Sequence, residues 1–228
     1  THHNLTYSPL LFQALFGEIM NLHSRVKICG ITRLQDALWC QAQGVHALGF
    51  VFYQDSQRYI EPAYAKKIIM ELSPFIMTVG LFVNASAREV EKITQIAPVH
   101  VLQFHGEETE RFCYQFGRPY IKSVSMQVGE DIEKIAQTFH SASALLYDAP
   151  ASTKYGGTGR TFDWSLIPRH INRPWILAGG LNSENIREAI KQTGALNLDV
   201  SSGVESAPGI KDPLKIKSFL TGVRHAKI

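Results

Sequence analysis

The chain is poor in cysteine, in net charge and in long apolar runs, and each shortage closes off a class of function. Three cysteines in 228 residues (Cys29, Cys40 and Cys113) make an odd, sparse set without C-x-x-C spacing. That set does not read as a disulfide framework or a zinc site, and it fits a reducing cytoplasm. The formal charge is only +3 and no Lys/Arg run stands out, so nucleic acid is not an expected partner. A slight basic excess suits an anionic substrate, although solubility accounts for it equally well. No internal repeat, low-complexity tract or inserted domain breaks the sequence. With 45% hydrophobic residues, the chain can build one sizeable core and has too little for two ordinary domains.

What is present is a set of short apolar runs, each followed by a helix-like segment. In order they are RVKICG (25–30), ALGFVF (47–52), MTVGLFV (77–83), VHVLQFHG (99–106), YIKSVSM (120–126), ALLYDA (144–149), PWILAGG (174–180) and ALNLDVSSG (195–203). Strands alternating with helices pair in parallel, because each crossover carries the chain back across the sheet. Eight such units predict an α/β chain folded as a single (β/α)₈ TIM barrel over 25–228, with an open doubly wound sheet as the alternative. The helical spacing of Ala65, Ile68, Ile69 and Leu72, of Ile132, Ile135, Ala136 and Phe139, and of Ile216, Phe219, Leu220 and Val223 supplies one apolar stripe per helix. Pro62 suits a first helical turn. Thr32 with Gln35, and Ser86 with Glu89, have capping-box spacing. Cys40 and Cys113 fall in helical segments as small buried hydrophobes.

Residues 1–24 stand outside the βα pattern as a short N-terminal extension. They lack a positive n-region and an A-x-A site, which argues against a secretory signal. Their apolar stretch is too short and interrupted to span a bilayer, so no membrane association is expected. A tag remnant, an upstream extension before a start at Met20, and a short helix packed on the barrel all fit.

A barrel of this kind carries its chemistry at the C-terminal ends of its strands. Gly179 and Gly180 end strand seven ahead of a helix expected near Ser183, and Ser201, Ser202 and Gly203 end strand eight. Glycines allow backbone N–H groups to approach an anion, a helix N-terminus adds a favourable dipole, and serine hydroxyls donate. Adjacent turns of this type predict a phosphate site, although each alone is also an ordinary tight turn. Cys29 ends strand one and Asp148 ends strand six, where a thiolate and a carboxylic acid could serve opposite sides of a substrate as base and acid. Those roles call for a lowered thiol pKa and a raised carboxyl pKa; a buried structural thiol and a loop-capping aspartate are the plainer readings. Arg58 could grip a carboxylate bidentately from the loop after strand two, or be a solvated surface arginine. Gln103 and His105 share a strand-four face that could line the mouth. Gly156 and Gly157, in the G-G-T-G stretch, suggest a loop closing over substrate; without a following Lys-Ser/Thr it is no nucleotide P-loop.

Together these motifs resemble the phosphoribosylanthranilate isomerase family over about residues 25–223. The resemblance rests on Lys27-Ile28-Cys29-Gly30-Ile31-Thr32, Arg58-Tyr59, Gly80-Leu81-Phe82-Val83-Asn84 and Gln103-Phe104-His105-Gly106. It continues through Asp148, Gly156-Gly157-Thr158-Gly159, Phe162-Asp163-Trp164, Ala178-Gly179-Gly180-Leu181 and Asp199-Val200-Ser201-Ser202-Gly203-Val204-Glu205. It implies an Amadori rearrangement of a phosphosugar-anthranilate substrate in tryptophan biosynthesis, with no metal or organic cofactor. By the same resemblance Asp148 is the acid that opens the furanose ring, and Cys29 is the base at carbon 2 of the sugar. Arg58 then meets the anthranilate carboxylate, and the glycine and serine turns hold the phosphate. Gln57 replaces a proline usual in the family, and Phe104 a leucine. Both a monomer and a homodimer suit such barrels.

Three rivals are weighed by residue. A histidine-pathway isomerase would call for an aspartate where Cys29 stands. Indole-glycerol-phosphate synthase would call for a lysine acid, for which Lys122 offers a position, but the rest of that pattern is not apparent. A non-catalytic phosphate binder would need the anion turns but neither Cys29 nor Asp148.

Overall fold

A computed structural model describes residues 24–129, 131–150, 161–168 and 173–226. Most of the N-terminal extension, and the G-G-T-G stretch with Gly156 and Gly157, therefore lie outside the described residues. Eight parallel strands form a closed barrel in sequence order. They are β1 (Arg25–Cys29), β2 (Ala47–Val51), β3 (Met77–Phe82), β4 (Val101–Phe104), β5 (Tyr120–Ser125), β6 (Ala144–Asp148), β7 (Trp175–Leu177) and β8 (Asn197–Val200). All eight fall within the predicted runs. Closure is made by β1 on β8, with Lys27 opposite Asp199 and Ile28 opposite Val200. The β7–β8 seam is short, with Leu177 opposite Leu198, and the Asn197 amide braces it by donating to the Trp175 carbonyl at 3.0 Å.

Strand alternation sorts the side chains into two shells. The inner shell has an apolar floor of Val79, Val101, Ile121, Ala144, Leu146 and Ala178. A second inner cluster, nearer the C-terminal ends, joins Cys29 to Val51, Leu81 and Val83. The outer shell is the main core, between barrel and helices. Phe104 belongs there, with ring centroids 5.8 Å from Phe112 and Phe116 and 5.9 Å from Tyr120. Phe104 thus packs on the helix side of the sheet.

The helices are α1 (Leu34–Ala42), α2 (Pro62–Met70), α3 (Ala87–Ile96), α4 (Glu110–Tyr114), α5 (Ile132–Thr138), α6 (Ile186–Thr193) and α7 (Pro213–His225). Pro62 opens α2, and Ser86 caps α3 by accepting from the Glu89 amide, as the sequence predicts. Cys40 and Cys113 are buried within α1 and α4. Three details differ from expectation. Thr32 does not cap α1; its hydroxyl donates to the Gly209 carbonyl at 2.5 Å, tying the first loop to the end of the chain. The helix after β7 begins at Ile186 rather than near Ser183, because the Asn182 carboxamide accepts from the Glu184 and Asn185 amides and holds a turn there. After β6 the described residues contain only a single 3₁₀ turn, 164–166, capped by Asp163 and followed closely by Pro168. The chain also adds a hairpin the sequence did not announce: β9 (Glu205–Ala207) against β10 (Ile210–Lys211).

Candidate active site

The inward face of β1 carries Lys27 and then Cys29 at the strand end. Lys27 is buried, and its ammonium lies 2.9 Å from both carboxylate oxygens of Asp199. Burial alone would lower the Lys27 pKa, but Asp199 and Cys29 outweigh it and leave the ammonium raised. Cys29 is 6% exposed. Its thiol departs from the lowered pKa expected of a base: burial pushes it up, and Asp199 adds to that rise. The nearby Lys27 and Lys211 only partly offset it. At rest the thiol therefore keeps its proton.

Across the sheet, Asp148 ends β6 half-buried. Its Oδ1 accepts from the Ala149 amide at 2.8 Å, which fixes the carboxyl plane. Its Oδ2 lies 3.3 Å from His105 Nε2. His105 Nδ1 in turn lies 3.3 Å from Gln103 Nε2. Gln103 is fully buried on β4, and its Oε1 is among the buried polar atoms without a partner in the described residues. His105, just past the end of β4, is thus brought to the carboxyl group of Asp148, with Gln103 behind it. Gly179 stands against the same group with φ +81°, where a Cβ would sit 2.5 Å from the Ala149 nitrogen and 3.0 Å from Asp148 Oδ1. Only glycine satisfies both the backbone and the space.

The anion turns meet each other. A Cβ on Gly203 would stand 1.9 Å from the Leu181 carbonyl oxygen, so the turns after β7 and β8 are in backbone contact. Among the described residues, no partner is present for the amides of Gly180, Ser202 and Gly203. The Ser201 hydroxyl donates to the Cys29 carbonyl at 3.0 Å. Because backbone cannot yield as a side-chain tip does, Gly203→Ala is expected to cost about 1–3 kcal/mol. At about 2–4 °C per kcal/mol, a thermal melt would show the loss; an unchanged melting temperature would mean the turns are free to part.

Arg58 is neither solvated nor loose. Its Nε and Nη2 fork onto the Glu205 carboxylate, at 3.0 and 2.7 Å for the two shortest contacts. Glu205 also takes Lys211 Nζ at 2.7 Å, and that ammonium donates to the Cys29 carbonyl at 2.5 Å. Burial alone would raise the Glu205 pKa, but Arg58 and Lys211 bring it below the ordinary carboxylate value. Lys211 goes the other way for a paired lysine: complete burial lowers it more than Glu205 and Cys29 raise it. The loop after β2, which holds Gln57, is therefore braced by this hub and by a bridge from Tyr59 to Val51.

Lys122, the candidate acid of the indole-forming rival, lies on the outer shell. It pairs with Glu108 at 3.2 Å and sits over the Phe139 ring. Among the described residues there is no cluster of three His, Cys, Asp or Glu side chains able to hold a metal, and no helix long and apolar enough to cross a membrane. Sequence reasoning missed Lys27, Asp199, Glu205 and Lys211 as site residues. Lys27, Asp199 and Glu205 stand inside the quoted motif strings, but Lys211 sits in a turn-like A-P-G-I-K-D-P stretch with no signal of burial.

Comparison with known proteins agrees with this geometry. The family model described as N-(5′-phosphoribosyl)anthranilate (PRA) isomerase matches residues 26–222. A relative named N-(5′-phosphoribosyl)anthranilate isomerase from Nitrosomonas eutropha is 51% identical over 200 residues, 88% of this chain and 96% of its own. The solved phosphoribosyl anthranilate isomerase of Thermotoga maritima has a TM-score of 0.81 at 41% identity, covering 88% of this chain and 98% of that one. A phosphoribosyl anthranilate isomerase solved with reduced 1-(o-carboxyphenylamino)-1-deoxyribulose 5-phosphate has a TM-score of 0.78 at 38% identity, with the same coverage.

Proposed function

Because the chain belongs to the N-(5′-phosphoribosyl)anthranilate isomerase family, we propose that Cys29 and Asp148 divide the proton transfers of that family's reaction. The enzyme rearranges N-(5′-phosphoribosyl)anthranilate to 1-(2-carboxyphenylamino)-1-deoxyribulose 5-phosphate, a step of tryptophan biosynthesis. The observation that carries the division is placement. The two groups end inward-facing strand positions of one barrel: Asp148 is held by His105 and the Ala149 amide, and Cys29 shares the inner face of its strand with Lys27.

Asp148, gripped by His105 and the Ala149 amide, gives a proton to the furanose ring oxygen, and the ring opens to a Schiff base. Cys29, as thiolate, takes the proton from carbon 2 of the sugar, leaving an enolamine that tautomerises to the ketone. His105 and Gln103 border the acid and the sugar. Gly179, Gly180, Ser201, Ser202 and Gly203 receive the phosphate, supported by the uncommitted amides of three of them. Binding both anionic ends fixes the sugar between acid and base, so positioning adds to proton transfer. Three free, buried thiols support a reducing compartment, the cytoplasm, with residues 25–228 as the catalytic barrel.

The direct test is the decay of anthranilate-type fluorescence after adding the full chain to freshly made phosphoribosylanthranilate. Decay above the spontaneous rate is expected; none, from folded protein, would overturn the assignment. Arg58 has a separate expectation. Its Nε and Nη2 are committed to Glu205, so the anthranilate carboxylate meets the remaining Nη1 edge. A charge-assisted hydrogen bond of about 1.5–3 kcal/mol corresponds to a KM rise of about 10–100-fold in Arg58→Ala, with kcat changed far less. An unchanged KM would remove Arg58 from the carboxylate site.

A further inference from the structure

We propose that Lys27 is a positioning residue for the base: its ammonium, clamped by Asp199, is the fixed counter-charge beside which the Cys29 thiol gives up its proton. The inference rests on the reading of Cys29 as base and adds what makes that base usable.

Three observations place the two side chains together. They are two residues apart on β1 and so share the inner face. Gly49 is the register partner of Cys29 on β2. A Cβ there would lie 2.8 Å from Cys29 Sγ and 3.1 Å from Lys27 Cε, so thiol and lysine stem fill one slot that a missing side chain leaves open. Finally, the Asp199 carboxylate holds Lys27 Nζ through both oxygens at 2.9 Å, which removes the freedom of the lysine head.

The charged surroundings of the thiol give Lys27 its sign. On the β2 and β3 side the thiol packs on Val51, Leu81 and Val83, which offer a thiolate nothing. The charged groups facing it are Lys27 on its own strand, Asp199 on β8 and Lys211 on β10. Lys211 is drawn off by Glu205 and the Cys29 carbonyl, with Arg58 behind Glu205. Asp199 opposes a thiolate, so its contribution is indirect: it keeps Lys27 charged and in place. Lys27 keeps its proton throughout the cycle. The proton leaving the resting thiol goes to solvent, and the thiolate then accepts the carbon-2 proton.

A buried ion pair kept only for stability is readily replaced by apolar residues. That gives a clean test. The pH profile of kcat/KM is measured with phosphoribosylanthranilate for wild type, Lys27→Met, and the double variant Lys27→Met with Asp199→Asn. The double variant leaves no unpaired buried charge and guards against misfolding, checked by circular dichroism and thermal melts. Loss of an adjacent opposite charge moves a pKa by about 1–3 pH units. In Lys27→Met the acidic limb of the profile is therefore expected to move up by at least about one unit, with the neutral-pH rate down about tenfold or more, partial recovery at high pH, and KM little changed. A folded Lys27→Met variant with the wild-type limb and rate would overturn the role of Lys27. In the double variant, which also removes the opposing Asp199 charge, the upward move is expected to be smaller, and a limb that moves down there would overturn the role as well. Cys29→Ala run alongside separates the two failures: if it stays active, the reading of Cys29 as base falls; if it is inactive while the limb stays put, only the inference about Lys27 falls.

Discussion

Cys29→Ala and Asp148→Asn are each expected to lower kcat by about 10²–10⁴-fold, the usual worth of a positioned acid or base, with product affinity near that of wild type. The binding expectation follows from the division of labour at the mouth. The anionic ends of the substrate are assigned to Arg58 and to the turns after β7 and β8, and neither variant touches those. Both variants should also fold. Cys29→Ala removes one sulfur from a slot bordered by Val51, Leu81 and Val83, and Asp148→Asn keeps an oxygen able to accept from the Ala149 amide. The kinetic signature is a fall in kcat and in kcat/KM together, since the interactions lost belong to the transition state. The check is fluorescence decay in steady state beside titration with reduced product. Wild-type-like turnover in either variant would sink the role given to that residue. A large loss of binding would instead mean that the side chain holds the ground state.

Much of this arrangement was legible before any coordinates, and the residues that were not share a cause. Cys29, Asp148, Gly179 and Gly203 announce themselves because each ends a strand or stands in the turn just after one, and strand ends are marked locally by an apolar run and a turn. Ser86 and Pro62 were readable for the same reason. Lys27 and Asp199 are 172 residues apart and meet only because β1 closes on β8. Arg58 and Glu205 are 147 apart and meet over the hairpin. Thr32 has cap spacing, yet the Gly209 carbonyl, brought in by that hairpin, takes its hydroxyl. Barrel closure creates these partners, and periodicity carries no record of it. The pKa of Cys29 was not legible on the same ground: the base role calls for a lowered value, whereas the apolar residues of β2 and β3 packed on the thiol make desolvation the largest effect.

Glu205→Gln is expected to produce the largest loss of stability. Its carboxylate is the sole acidic partner of the Lys211 ammonium among the described ion pairs, and that side chain has 0% exposure. Removing one partner of a buried pair leaves the other charge uncompensated and costs about 3–5 kcal/mol. At about 2–4 °C per kcal/mol for a chain of this size, the melting temperature should drop by about 10 °C. Function should suffer in parallel, because the same carboxylate orients Arg58 through its fork; KM should rise while Cys29 and Asp148 stay in place. The pH dependence fixes the sign. Glu205 has a folded pKa below its unfolded value, so its stabilisation is fully present above the ordinary carboxylate pKa of about 4.3. It is lost as pH falls through the folded value. The gap in melting temperature between wild type and Glu205→Gln should therefore be widest near neutrality and close in acid. A gap that is absent at pH 7, or that widens on acidification, would show that Lys211 and Arg58 do not depend on this carboxylate.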